Sequence, residues 1–196
     1  MKHKKTNPKI LENFRGGGGS GKTPSIILDW CIDITNNKNE INRIIRNCDN
    51  AFANPVAKRS IYSDLLMKIH QNGIFIYAHD DCDIGYCALY ANDLETKQGY
   101  ISLIAVKPEY QKMHIGKNIL DNALDICRKN GMLSCVLEVK KNNMSAQKFY
   151  LANNFVFLME QDDSFLMRCE LYPEKGKKDE YQRKKSNITC NGETGL

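Results

Sequence analysis

A buried strand that runs directly into an amphipathic helix dominates the middle of this sequence, over YISLIAVKPEYQKMHIGKNIL, residues 100–120. The strand carries two alternating apolar rows, which are Ile101, Leu103 and Ala105 on one side and Ile104 and Val106 on the other. Such a strand is typical of the centre of a sheet that is covered on both faces. Pro108 ends it, and the apolar stripe that follows predicts an amphipathic helix beginning near His114.

Hydrophobic periodicity assigns the rest of the chain to further strands and helices. In order, the pattern predicts a strand over 25–35, helices over 39–52 and 61–73, strands over 74–79 and 83–91, the central strand and helix, a strand over 133–139, a helix over 143–153 and strands over 155–159 and 164–171. This order predicts an α/β fold, namely a single domain whose mixed, mostly antiparallel central sheet has helices on both faces.

The net charge of +5 is concentrated at the two ends of the chain. Residues 1–24 hold six basic residues, one Glu and a run of four glycines, and residues 173–196 hold six basic and four acidic residues. We therefore expect a disordered basic lead over 1–24, a folded domain over 25–172 and a disordered charged tail over 173–196. The part between the ends has a net charge of −2, so no basic face for nucleic acid is predicted.

Composition also bears on compartment and metal content. The eight cysteines form no CxxC pair and several lie in apolar runs, which is typical of reduced core residues. His79, Cys82 and Cys87 match no familiar zinc spacing, so we assign no metal site. The N-terminus lacks the apolar core of a signal peptide, and no stretch approaches the roughly 18 apolar residues that span a bilayer. We expect a cytoplasmic protein with no membrane partner.

A glycine-rich string near the N-terminus matches the motif of a nucleotide-binding site. GGGGSGKT, residues 16–23, satisfies the G-x-x-x-x-G-K-[ST] pattern of a nucleotide-binding P-loop. A P-loop needs a buried strand before it and a helix after it, whereas Pro24 follows at once. Four consecutive glycines are also typical of a flexible linker, so we favour a linker over an ATP or GTP site.

The turn between the central strand and its helix has the chemistry of an anion site. The first N–H groups of a helix have no intrahelical acceptor and carry partial positive charge, so they stabilise a diphosphate. Gly116 lets a ligand approach the backbone, and Lys112 and Lys117 add positive charge. On these features alone, an ordinary turn with surface lysines remains the alternative.

Two segments resemble the motifs of a known enzyme family. QKMHIG, residues 111–116, resembles the coenzyme A loop of the GNAT-type N-acetyltransferases, whose pattern Q/R-x-x-G-x-G/A follows a strand ending in V-x-P. About 30 residues later, NMSAQKFYLANNF resembles the second segment of that family through Asn143, Ala146, Phe149, Tyr150 and Phe155. The resemblance covers roughly residues 27–171 and is strongest over 90–155.

The sequence departs from the family pattern at two positions. Asn154 replaces the glycine before Phe155, which is a mild change because Asn tolerates left-handed backbone better than most residues. His114 replaces the first glycine of the loop. Its Cβ would crowd the diphosphate, or its imidazole would donate a hydrogen bond to it when protonated. We therefore expect weaker coenzyme binding than with glycine.

The resemblance implies an N-acetyltransferase that moves the acetyl group of acetyl-CoA to a primary amine of a small molecule by direct attack. In the family the central strand splays at a bulge and pairs with the pantetheine arm, and a backbone N–H near Val106 would stabilise the oxyanion. Tyr150 matches the residue that commonly donates a proton or a hydrogen bond to the departing thiolate. The implied coenzyme-binding residues are Ile104, Ala105, Val106, Gln111, Lys112, Met113, His114, Ile115, Gly116, Lys117, Asn143 and Ala146.

Several alternatives stay open at this point. The general base is Asp93, Glu95, Glu138 or a chain of water molecules, Tyr150 is alternatively a half-buried phenol, and Asn143 is alternatively only a helix cap. The acceptor is alternatively a protein amine, or the domain is a catalytically weak acyl-CoA-binding module. We expect a monomer or homodimer whose partner is a small-molecule amine.

Overall fold

The computed structural model describes residues 30–171, which form seven strands and four α-helices. The strands are β1 (Cys31–Thr35), β2 (Ile74–His79), β3 (Asp83–Tyr90), β4 (Gln98–Val106), β5 (Ser134–Lys140), β6 (Val156–Glu160) and β7 (Ser164–Glu170). The helices are α1 (Lys38–Asn47), α2 (Tyr62–Asn72), α3 (Ile115–Lys129) and α4 (Met144–Ala152). The sheet has the strand order β1-β2-β3-β4-β5-β7-β6, and the pairs β1·β2, β2·β3, β5·β7 and β6·β7 are antiparallel. The predicted α/β fold with a mostly antiparallel sheet is therefore confirmed.

Some of the sequence-based expectations fall outside the described residues. These are the lead over 1–24 with its P-loop-like string, residues 25–29 of the first predicted strand, and the tail over 173–196. Between residues 30 and 171, no helix is both long and apolar enough to cross a bilayer.

The described residues divide into two compact units. The first unit consists of residues 30–90 and 101–123, and it contains β1, β2, β3, both early helices, most of β4 and the first part of α3. The second unit consists of residues 91–100 and 124–171, and it contains β5, α4, β6 and β7.

The core of the first unit forms where α1 and α2 cover the sheet. α1 begins where the side chain of Asn37 accepts hydrogen bonds from the N–H groups of Asn39 and Glu40. Its apolar stripe of Ile41, Ile44 and Ile45 is fully buried. This stripe belongs to one core cluster with Phe75 and Tyr86, whose rings stack with their centroids 5.1 Å apart.

The predicted helix over 39–52 ends earlier in the structure, at Asn47. Residues 49–51 form a 3-10 turn instead, because the carboxylate of Asp49 accepts hydrogen bonds from the N–H groups of Val56 (2.5 Å) and Ala57 (3.0 Å). A carboxylate that bonds backbone groups seven and eight residues ahead turns the chain away from the helix axis. Phe52 therefore follows the apolar spacing of α1 without belonging to it.

The strand that is covered on both faces is β3, which is buried at seven of its eight residues. The prediction that β4 is covered on both faces is correct for only one of its rows. Ile101, Leu103 and Ala105 are buried, whereas Ser102, Ile104 and Val106 remain half-buried. Apolar residues on both sides of a strand thus did not distinguish a packed face from a partly open one.

In the second unit, β5 and β7 pair over seven residues, from Ser134 opposite Glu170 to Lys140 opposite Ser164. β6 pairs with β7 through a register shift between Phe157 and Met159. Gly131 follows α3 with a φ of 78°, which is the left-handed conformation in which glycine commonly ends a helix.

Candidate functional site

The corner between β4 and α3 is the loop of residues 107–114, and two hydrogen bonds hold it in place. β4 ends at Val106, and the N–H of Lys107 donates to the carbonyl of Ile84 in β3 over 2.9 Å. The side-chain amide of Gln111 donates to the carbonyl of Val106 over 3.0 Å. Between these two contacts the chain makes the 3-10 turn Pro108–Tyr110. The loop is therefore fixed at both ends before α3 begins.

Two residues of this loop have left-handed backbone without being glycine. Lys112 has a φ of 65° and His114 a φ of 60°. Such conformations cost an L-residue roughly 1–2 kcal/mol and occur in concave turns whose N–H groups point to one centre and bind anions. The carbonyl of His114 accepts bonds from both the backbone N–H and the side-chain amide of Asn118, each at 3.0 Å, which holds the start of α3 in place.

The backbone is left-handed at both positions that depart from the family pattern. His114 and Asn154 occupy the two positions where the pattern has glycine, and both have a left-handed φ of 60° and 65°. The expectation that Asn154 adopts this conformation is confirmed. At position 114 the loop keeps the shape that glycine favours, although a Cβ is present.

Between residues 111 and 117, one residue is buried and the others are exposed or half-buried. Ile115 is almost fully buried, whereas Lys112, Met113 and His114 are exposed and Gly116 is half-buried. The ammonium group of Lys117 bonds both carboxylate oxygens of Asp121 at 2.7 and 2.8 Å, so its charge is partly compensated within α3. Lys112 is exposed and forms no ion pair within residues 30–171.

Gly85 of β3 is a residue of this corner that the sequence motifs do not indicate. A Cβ at position 85 would lie 2.6 Å from the carbonyl oxygen of Ala105 and 3.2 Å from the Cα of Val106. Real Cβ atoms do not approach a backbone oxygen so closely, so only glycine fits against the end of β4. The available indication was a glycine inside the apolar strand DIGYCALY, which often marks a close backbone approach.

Tyr110 anchors the 3-10 turn that precedes the loop. Its hydroxyl lies 3.4 Å from the thiol sulfur of Cys82 in the connection between β2 and β3. This hydrogen bond is the main reason that the pKa of Tyr110 rises to about 12. The contact joins the turn to the strand connection beside it.

The second unit holds the other three predicted site residues, together on α4. The side-chain oxygen of Asn143 accepts the N–H of Ala146 over 3.1 Å, so its predicted capping role is confirmed. Tyr150 is 6% exposed, and its ring packs against Phe149 and Phe155 with centroids 5.3 and 5.6 Å away. The predicted residues thus fall into two groups, one around the start of α3 in the first unit and one on α4 in the second.

Of the carboxylates considered as the general base, Asp93 is engaged in its own turn. One carboxylate oxygen accepts the N–H groups of Glu95 (3.1 Å) and Thr96 (3.0 Å), and the other accepts the Thr96 hydroxyl at 2.6 Å. These bonds, led by that of the Thr96 hydroxyl, lower the pKa of Asp93. A carboxylate with a lowered pKa is a weaker base.

Glu138 lies instead on a strand, β5, with its side chain exposed. Its carboxylate accepts the hydroxyl of the buried Ser164 at 2.6 Å. Burial raises the pKa of Tyr100 in the same unit, and the negative charge of Glu138 adds to that rise. Glu138 is therefore oriented by a fixed donor beside a second titratable side chain.

A family model and two relatives match this chain over its central part. The model of the acetyltransferase (GNAT) family matches residues 39–155. A candidate [ribosomal protein bS18]-alanine N-acetyltransferase from Bacillus subtilis is 29% identical over 100 residues, which cover 51% of this chain and 64% of that protein. A spermidine N(1)-acetyltransferase from Thermoplasma acidophilum is 34% identical over 90 residues, which cover 45% of this chain and 53% of that protein. The chain thus spans less than two thirds of the length of each relative.

A solved N-acetyltransferase structure has a similar fold. The crystal structure of the PaiA N-acetyltransferase from Thermoplasma acidophilum, in complex with coenzyme A, superposes with a TM-score of 0.60 at 22% identity. The match covers 71% of this chain and 98% of that one. The resemblance to the GNAT-type family that the sequence motifs indicate is confirmed by the family model. Since the family model spans more than half of its length, the chain belongs to the acetyltransferase (GNAT) family.

Proposed function

We propose that this protein transfers the acetyl group of acetyl-CoA to a primary amine and holds the coenzyme diphosphate at the start of α3. The observation that carries the proposal is the left-handed backbone of Lys112 and His114 directly before that helix. It curves the loop in the way that anion-binding turns are curved, and the first N–H groups of α3 supply donors without intrahelical acceptors. Gly116 leaves room for the phosphates to approach the backbone.

The chemical step needs no nucleophilic side chain, because the amine attacks directly. The amine attacks the thioester carbonyl, a tetrahedral oxyanion forms, and the carbon–sulfur bond breaks to release coenzyme A thiolate. The half-buried row of Ile104 and Val106 is the side of β4 that we assign to the pantetheine arm. We assign the hydrogen bond to the thiolate to Tyr150 and the removal of the amine proton to Glu138.

For the acceptor we propose a small-molecule amine, because one relative is a spermidine acetyltransferase. A second candidate is the N-terminal amine of a protein, because the other relative is named for a ribosomal protein alanine. Both acceptors present an amine that must lose a proton on attack, so the same coenzyme site serves either.

A thiol-release assay tests the proposal and separates the two acceptors. Purified protein is incubated with acetyl-CoA and either a panel of amines that includes spermidine or a panel of peptides that begin with alanine, and free coenzyme A thiol is recorded. We expect release above the no-acceptor blank with the amines. Release with the peptides alone would make the acceptor a protein, and release with neither panel, together with no coenzyme binding by calorimetry, would contradict the function.

A further inference from the structure

Three cysteines lie together in the interior of the second unit. Cys127 belongs to the last turn of α3, Cys135 to β5 and Cys169 to β7, and their exposed fractions are 0%, 0% and 4%. Cys135 lies directly opposite Cys169 in the pairing of β5 with β7, and the thiols of Cys127 and Cys135 are hydrogen-bonded to each other. No group of ligating side chains among residues 30–171 is arranged to hold a metal ion, so a metal does not account for this cluster.

We propose that Cys127 and Cys135 form a redox-active pair, which hydrogen peroxide converts to a disulfide that fastens the last turn of α3 to β5. All three cysteines are thiols in the structure, which therefore shows the reduced state. The two residues flank the short connection 130–133, so the disulfide is local to the end of the helix. Neither cysteine takes part in the proposed acetyl transfer, and the inference does not depend on it.

The hydrogen bonding between β5 and β7 decides which thiol reacts with Cys135. The N–H of Leu171 donates to the carbonyl of Leu133, which lies opposite it. Hydrogen-bonded pairs recur every second residue in an antiparallel ladder, so Cys135 and Cys169 are such a pair. The Cβ atoms of hydrogen-bonded pairs are near the long end of about 4.5–5.5 Å, whereas a disulfide requires about 3.5–4.5 Å. Cys127, which approaches from the helix, is therefore the partner.

The end of α3 gives an oxidant access to Cys127. Residues 128–131, directly after it, are all exposed, and helix ends open locally at little cost in free energy. The hydrogen bond with Cys135 lowers the pKa of Cys127, and the charge of Arg128 acts in the same direction against the effect of burial. Burial raises the pKa of Cys169 instead. Because the thiolate is the reactive form, Cys127 is the thiol that peroxide attacks first.

The oxidation takes two steps that balance without a further reagent. The Cys127 thiolate attacks one oxygen of hydrogen peroxide, the O–O bond breaks, and the sulfur becomes a sulfenic acid while the departing hydroxide takes up the thiol proton as water. The Cys135 sulfur then attacks the Cys127 sulfur, and the S–OH group leaves as water with the second thiol proton. Two thiols and one peroxide thus give one disulfide and two molecules of water.

Peptide mapping of the peroxide-treated protein tests the proposal. The full-length protein is oxidised while folded, the remaining thiols are blocked with N-ethylmaleimide before unfolding, and the tryptic digest is analysed without reductant. Trypsin cleaves after Arg128 and Lys129, so the two cysteines fall into separate peptides, 118–128 and 130–140. We expect these peptides to be joined by a bond that a thiol reductant breaks. The exposed Cys82 serves as the internal measure of the oxidant.

Two variants that make the same chemical change in the cluster are the matched controls. Cys169→Ser should form the link as the wild type does, whereas Cys135→Ser should leave peptide 118–128 unlinked, with a sulfenic acid that dimedone traps. The wild-type map alone decides the question if a variant folds poorly. A link between Cys135 and Cys169, or a pair that remains reduced at a peroxide dose that oxidises Cys82, overturns the proposal.

Hydrogen exchange tests what the link does to the helix end. We expect the amides of 127–131 to exchange more slowly in the linked protein than in the reduced protein, and to recover their original rate after reduction. Equal exchange in the linked and reduced forms would overturn the claim that the disulfide fastens the last turn of α3.

Discussion

Gly85 in β3 lies so close to Ala105 in β4 that a Cβ at position 85 would come within 2.6 Å of the Ala105 carbonyl oxygen. Gly85→Ala must therefore push the end of β4 away. Overpacking of this kind typically costs about 1–3 kcal/mol of unfolding free energy. Because β4 leads into the proposed coenzyme loop, we also expect several-fold weaker coenzyme A binding, measured by calorimetry alongside urea unfolding.

The matched control for that change is Gly131→Ala. Gly131 has a φ of 78° and no atom within 4 Å of its Cβ position, so alanine is strained there without touching a neighbour. The strain of roughly 1–2 kcal/mol is partly offset because alanine lowers the entropy of the unfolded chain by about 0.5–1 kcal/mol, so we expect a net loss of stability of up to about 1.5 kcal/mol and unchanged coenzyme affinity. An equal loss of affinity in both variants would show that general destabilisation, and not the end of β4, determines binding.

His114→Gly should improve both stability and coenzyme binding. Glycine removes the strain of a left-handed residue, roughly 1–2 kcal/mol, but increases the entropy of the unfolded chain by about 0.5–1 kcal/mol, so a net gain of up to about 1.5 kcal/mol is expected. Removal of the Cβ also gives the diphosphate more room. Met113→Gly, at a neighbouring exposed residue without a positive φ, should bring neither gain. Weaker binding in His114→Gly would instead show that the imidazole contacts the coenzyme.

Tyr150→Phe should lower kcat about tenfold or more while changing KM little, because the lost hydrogen bond acts on the thiolate only as it departs. Steady-state kinetics with saturating acetyl-CoA measure this effect. Tyr62→Phe is the matched control, since its hydroxyl donates to the Asn42 side chain over 2.7 Å in the first unit. We expect it to cost about 1 kcal/mol of stability and to leave kcat unchanged. Equal kcat in wild type and Tyr150→Phe would remove Tyr150 from the chemistry.

Glu138→Gln should reduce kcat/KM strongly, whereas Asp93→Asn should leave it close to wild type. Glu138 is held on a strand by Ser164, while both oxygens of Asp93 are used within a turn. The two variants make the same chemical change, so each controls for the other. A loss of turnover in Asp93→Asn alone would reverse this assignment.

Asp93→Asn should lower the stability of the fold, and the size of this loss should depend on pH. The turn bonds hold the pKa of Asp93 below its ordinary value, so they stabilise the fold at pH values above that of the unfolded chain, about 3.9. This contribution is lost as the pH falls through the lowered folded-state pKa. Thermal unfolding should therefore separate the variant from wild type at neutral pH and bring the two together in strong acid.

The sequence was sufficient for the elements because their periodicities are clean. The local preferences of the sequence agree with the fold at three places, namely the helical stripe of Ile41, Ile44 and Ile45, the strand before Pro108 and the left-handed Gly131 after α3. The early end of α1 at Asn47 was not predictable in this way. It depends on the Asp49 carboxylate, which reaches backbone groups seven and eight residues away.

The candidate site was only partly predictable for a related reason. The motif indicated where the turn lies. The structure adds its conformation, with left-handed backbone at Lys112 and His114 and a hydrogen bond from the Gln111 side-chain amide to the carbonyl of Val106. Gly85 enters the corner only through the pairing of β3 with β4, which no local pattern contains. The half-buried row of β4 was also missed, because apolar side chains look alike in sequence whether they pack against protein or line an open face.

The central claim is that the backbone from Gln111 to Lys117 binds the coenzyme diphosphate, and amide NMR shifts during a coenzyme A titration measure it directly. We predict that the amides of 112–117 shift most and saturate with the affinity found by calorimetry, while those of α2 remain unchanged. Coenzyme A binding that leaves the 112–117 amides unshifted, or no binding at all, would contradict the account.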